Sequence, residues 1–129
     1  MIAPNFRGST GFGLAHMDAV FGDGCGVADL ADCEAAARHL LATCGAELDA
    51  SRGCAIAGHS WGGFVVLRAL TSSLPASALN GLEGGPPLFS CGIASAAISD
   101  WFAQQRHTEV RPSCLLLAAV TLVRWWCVW

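Results

Sequence analysis

The pentapeptide Gly58-His59-Ser60-Trp61-Gly62, followed by Gly63, sets one serine among glycines where two unlike segments meet. Before it, "CAIA" at 54–57 is apolar without alternation, and after it "GGFVVLRAL" carries the apolar spacing of a helix. A GxSxG at such a junction has the spacing of a nucleophile elbow, a sharp strand-to-helix turn that lifts the serine hydroxyl above the carboxyl end of the strand. The chemistry is covalent: the Ser60 hydroxyl attacks a carbonyl, passes through a tetrahedral oxyanion and leaves an acyl-enzyme that water hydrolyses. Gly58 and Gly62 are expected at their positions because side chains two before and two after the serine would collide in the turn. The Trp61 backbone N–H, at the start of the helix, is expected to donate to the oxyanion. His59 is a poor base for Ser60, since consecutive side chains at such a turn diverge.

These residues need a strand, a turn and a helix to hold them, and the flanking sequence supplies more of the same. "MIAPNF" reads as a short strand and "RGSTGFG" as a glycine-rich loop leaving it. From Val27 to Ala42 the spacing of Val27, Leu30, Cys33, Ala37, Leu40 and Leu41 predicts a helix, with Asp29 and Asp32 in the first turn where the dipole favours acids, ending before Gly45. "CAIA" predicts a parallel strand covered on both faces. The elbow helix, with Phe64, Val65, Leu67 and Leu70 facing the sheet, ends by Pro75. A loop follows, and "SCGIASAAIS" at 90–99 predicts a third buried strand. Strand, helix, strand, helix, strand is the α/β pattern of a parallel sheet.

Composition bounds the function classes. The chain of 129 residues is 53% apolar and only 13% charged, which is interior-like sequence for one domain or part of one. Its seven basic residues are all arginines, dispersed under a net charge of -3, so no nucleic-acid footprint is visible. Seven cysteines are an odd number, without the CxxC or CxxH spacing of a metal site, and read as small buried thiols in a reducing compartment. No secretory signal follows Met1, which makes the cytoplasm the expected location. The apolar run from Cys114 to Val123 is shorter than the roughly 20 residues of a membrane span, so a membrane location is not expected.

Four blocks, "PNFRGSTGFG" at 4–13, "GDGCGVADLADCEAAARHL" at 22–40, "DASRGCAIAGHSWGGF" at 49–64 and "CGIASAAISDWF" at 91–102, resemble, in order and spacing, the catalytic domain of the prolyl oligopeptidase family of serine peptidases. The likeness leans towards its acylaminoacyl-peptidase-like and dipeptidyl-peptidase-like branches, with Phe6 and Phe12 where that family carries tyrosines. The resemblance implies an α/β-hydrolase fold, a parallel sheet with a nucleophile elbow, peptide substrates, and neither metal nor organic cofactor. Carried over by position, Ser60 is the nucleophile and the Trp61 N–H an oxyanion donor, with Gly58, Gly62 and Gly63 shaping the elbow.

In α/β-hydrolases the acid and then the histidine follow the serine. In the family resembled they lie further on than the 69 residues after Ser60, so residues 1–111 are expected to be a partial domain whose acid and base lie beyond the chain. The preceding loop that supplies a second oxyanion donor is expected to be missing too. Asp100 and His107 are poor local substitutes, because His107 would have to fold back over the elbow within seven residues. Asp100 reads instead as a cap or pair at a strand end, and His107 as a solvated loop residue. Residues 112–129, an apolar tail with three tryptophans in its last five positions, differ in kind from the rest, as a shifted frame, a retained intron or a truncated gene model would leave them. Two other functions fit the elbow: an esterase or dienelactone-hydrolase-like enzyme, and an inert fragment that associates or aggregates through its uncovered sheet edge.

Overall fold

The computed structural model describes residues 1–45, 47–71 and 87–107. Along the chain these form α1 (Leu14–Asp18), α2 (Ala28–Cys44), β1 (Cys54–His59), α3 (Trp61–Thr71), β2 (Phe89–Ser95) and α4 (Trp101–His107), with single 3-10 turns at Gly22–Gly24 and Ala50–Arg52. β1 and β2 pair in parallel, from Cys54 opposite Phe89 to His59 opposite Ser95, with a register shift at Cys54/Ala55. α3 packs on both strands, giving the β-α-β unit expected of an α/β sheet.

The helix predicted from Val27 is α2, whose alanine-rich interior has high intrinsic propensity. Its buried face differs from the apolar stripe read from the sequence. Ala28, Asp29, Leu30, Glu34 and Ala37 are buried, whereas Val27 is exposed. Two acids on the inward face are tolerable because each is engaged: Glu34 pairs with Arg38 one turn on at 3.5 Å, and Asp29 reaches the elbow. Asp32 holds the loop after residue 6. The Arg7 guanidinium donates to its carboxylate through Nε and Nη2, at 2.9 and 2.8 Å, and the Arg7 backbone N–H adds a bond of 2.7 Å.

The sheet faces also differ from expectation. In parallel register Ile56 and Gly92 turn to one side, where a Cβ on Gly92 would come within 2.9 Å of Val66 and 3.0 Å of Leu70. α3 therefore covers that side so closely that the strand carries a glycine there. Ala55, Ala57, Cys91 and Ile93 turn to the other side and are exposed, Ile93 to 71%. Neither strand is covered on both faces among the described residues. The last predicted strand stops at Ser95, because Ala96 turns into a left-handed conformation with φ of 47°. "MIAPNF" forms no strand: a strand needs a ladder partner, and among the described residues the sheet has two members, β1 and β2.

Buried apolar side chains come from the N-terminal segment (Phe6, Val20), α2 (Leu30, Ala37) and α3 (Val65, Val66). On α3 this shifts the apolar face from the expected one. Val66 and Leu70 meet the strand, while Phe64 turns to an aromatic group with Trp61 and Trp101. The described thiols, expected to be buried, are not: Cys25, Cys33, Cys44 and Cys54 are half-buried and Cys91, on the open sheet side, is exposed, while Cys114 and Cys127 lie outside the described residues. No described helix is long and apolar enough to cross a membrane. The expected loop after α3 and the tail at 112–129 lie outside the described residues.

Candidate active site

Ser60 is the single residue between β1 and α3, and its φ is 55°. L-residues other than glycine, asparagine and aspartate rarely adopt this left-handed geometry, which costs about 1–2 kcal/mol. Two backbone bonds fix it. The Ser60 N–H donates to the Ser95 carbonyl at 2.9 Å, at the end of the neighbouring strand, and the Ser60 carbonyl accepts from Phe64 N–H at 3.1 Å, opening the helix. The side chain is half-buried, so the hydroxyl sits at a kinked strand end at the N-terminus of a helix. Trp61, as the first helical residue, has a backbone N–H with no carbonyl to meet one turn back within the helix.

The glycines around the turn have unequal roles. A Cβ on Gly58 would lie 2.3 Å from the Gly62 carbonyl carbon, a collision with backbone. On Gly63 it would lie 2.8 Å from the Ala97 Cβ and 3.0 Å from the Ser95 carbonyl, so Gly63 lets α3 approach the chain leaving β2. Gly62 itself has open space where a Cβ would stand. The expected crowding two residues after the serine is thus absent at Gly62 and falls on Gly63.

Sequence reasoning missed Asp29 as part of this site. Its carboxylate, 0% exposed, accepts the Trp61 indole Nε1–H at 2.8 Å through Oδ2 and the Leu30 backbone N–H at 2.9 Å through Oδ1. Burial pushes its pKa above the usual carboxylate range, opposed by the hydrogen bonds from Trp61 and Leu30. Trp61 is also held edge-on by Phe64 and Trp101, with ring centroids 5.6 and 5.5 Å away. A tryptophan after the serine was the available signal, since a half-buried indole N–H calls for an acceptor.

The other titratable candidates fall elsewhere. His59 ends β1, where its Nδ1 meets the Ser95 hydroxyl at 3.1 Å. His16 meets the Phe6 carbonyl through Nε2 at 3.1 Å, and His39 is exposed on α2. Asp100 caps α4, accepting from Phe102 N–H at 2.8 Å and Ala103 N–H at 3.0 Å. His107 is exposed at the far end of that helix and not in a loop, so Asp100 and His107 stand about 10 Å apart along the axis at 1.5 Å per residue. They cannot form a dyad. Among the described residues, no cluster of His, Cys, Asp and Glu is arranged to hold a metal.

No solved structure matches the chain significantly. The family model described as the prolyl oligopeptidase family matches residues 1–115, a stretch that contains every described residue and the elbow. A parallel β-α-β unit with a left-handed serine at its strand-to-helix turn is what an α/β-hydrolase of that kind requires at this place. The chain belongs to the prolyl oligopeptidase family, a family of serine-peptidase-like α/β-hydrolases.

Proposed function

We propose that Ser60 is the nucleophile of a serine peptidase acting on peptide bonds through an acyl-enzyme. The observation that carries the reading is the left-handed φ of 55° at Ser60, between a parallel strand and a helix. Strain of this kind persists where the surroundings over-determine it, and here it serves to present a hydroxyl beside the first free N–H groups of α3. In the reaction, the Ser60 oxygen attacks the peptide carbonyl, and the Trp61 N–H donates to the oxyanion that forms. A histidine and an acid from outside the described residues take the proton and pass it to the leaving amine, and water then cleaves the ester. Gly58 and Gly63 permit the turn. No cofactor enters these steps, and a reducing cytoplasm is the compartment the reading expects.

A fluorophosphonate probe tests this directly. Labelling of the wild-type chain that Ser60→Ala abolishes supports a competent nucleophile, whereas no labelling of a folded, monodisperse sample counts against it. The open side of the sheet favours a second reading for the isolated chain: association with another copy through Ala55, Ala57, Cys91 and Ile93, without turnover.

A further inference from the structure

We infer that Asp29 is a positioning residue for the nucleophile turn, acting through the Trp61 indole; this rests on the reading of Ser60 as a nucleophile and Trp61 N–H as its oxyanion donor. Ser60 is strained, and a strained turn keeps its shape only if the parts around it hold it from more than one side. One side is held from within the β-α-β unit, by the bonds from Ser60 N–H to Ser95 and from Phe64 N–H to Ser60. The other is reached from α2, 32 residues earlier in the chain, by the Asp29 carboxylate on Trp61 Nε1.

Three observations make this more than a buried polar contact. Trp61 directly follows the strained residue, so a shift of its ring is coupled through one Cα to the backbone N–H that faces the oxyanion. The indole is fixed in three directions, by Asp29 at its N–H and by Phe64 and Trp101 at its edges. The chain entering α2 is also pressed onto α3: Gly26, at φ of 69°, has the Phe64 ring where a side chain would stand, 2.8 Å from an added Cβ. Asp29 therefore comes from a segment already fixed against the elbow helix, which is what a strut needs. A carboxylate wholly removed from water is costly unless its bonds are good. Both its oxygens are used, one on the neighbouring Leu30 N–H and one on Trp61.

The test measures the rate of fluorophosphonate labelling at Ser60 in the full chain, at a temperature where near-UV circular dichroism shows every variant folded. Asp29→Ala and Trp61→Phe, which remove the acceptor and the donor, are each expected to slow labelling about tenfold or more, as small misplacements at a reacting centre do. The double variant is expected to be no slower than the slower single one, because both remove one interaction. Asp29→Asn keeps one acceptor oxygen, enough for the Trp61 Nε1–H at the loss of the Leu30 N–H bond, and is expected to slow labelling clearly less than Asp29→Ala. Unchanged labelling in Asp29→Ala, equal slowing by alanine and asparagine, or additive losses would each overturn the proposal. Should Asp29→Ala not fold, Trp61→Phe against Asp29→Asn decides. Absent labelling of wild type overturns the nucleophile reading instead. The Trp61 backbone amide resonance then decides the strut: displaced in Asp29→Ala and restored in Asp29→Asn supports it, unmoved in Asp29→Ala rejects it.

Discussion

The Ser60 N–H donates to the Ser95 carbonyl at 2.9 Å, so the end of one parallel strand holds the turn at the end of the other. The serine turn is thereby part of the sheet's pairing rather than of a free loop. Whatever disturbs the approach of α3 to the chain leaving β2 disturbs Ser60 as well.

Alanine replacements at the three elbow glycines should therefore separate. Gly58→Ala meets backbone at 2.3 Å and is expected not to fold stably. Gly63→Ala, at 2.8 Å from Ala97, should lose about 1–3 kcal/mol by overpacking. Gly62→Ala has open space and should be neutral or gain up to about 1 kcal/mol from helix propensity. Thermal melting of the three variants reads the order, and a Gly62→Ala loss equal to that of Gly63→Ala would contradict it.

The Arg7–Asp32 clasp should show in acid. Burial acts to raise the Asp32 pKa, but the hydrogen bonds and charge of Arg7 outweigh it and hold the carboxyl below its ordinary value. A lowered folded-state pKa gives stability that is present above the unfolded value of about 3.9 and is lost as pH falls through the folded one. Asp32→Asn should cost about 1 kcal/mol at neutral pH, discounted for the partly exposed pair. That cost should vanish in acid, as melting temperatures at pH 7 and below pH 3 would reveal.

Asp29 should behave oppositely. Its folded-state pKa is raised by burial, so its favourable contribution is complete below the unfolded pKa of about 3.9 and is lost as pH rises through the folded one. Asp29→Asn, with nothing to ionise, should therefore melt higher relative to wild type at pH 7 than at pH 3.5. A gap that is constant or larger in acid would contradict this sign.

Replacing Ile93 with lysine should lower self-association without lowering stability. Ile93 is 71% exposed on the open side of the sheet, and substitutions at such places usually stay within about 0.5 kcal/mol. Sedimentation velocity across a concentration series checks the first part and melting the second.

Much of this architecture could be read from spacing. α2, β1, α3 and the elbow at Ser60 follow from apolar period and from glycine placement, because local sterics dictate them. The strand expected at "MIAPNF" could not be judged that way, because a strand exists only with its neighbour. The inward face of α2 was misread because Asp29 and Glu34 are buried through partners, Trp61 and Arg38, that periodicity does not see. α4 was missed since its start is set by a single cap, Asp100, after a stretch that reads as strand.

Ser60 and Ala96 follow register partners, His59 and Ser95, so two left-handed residues stand side by side at the ends of adjacent strands. Their evolutionary freedom is unequal. Glycine would relax either, but at position 60 it removes the hydroxyl, which under the proposed nucleophile role locks that strain into every descendant that keeps the chemistry. At position 96 no such hostage is held. Ala96 is thus where an engineer can recover up to about 1 kcal/mol of stability by Ala96→Gly, relief that the proposed role denies to Ser60.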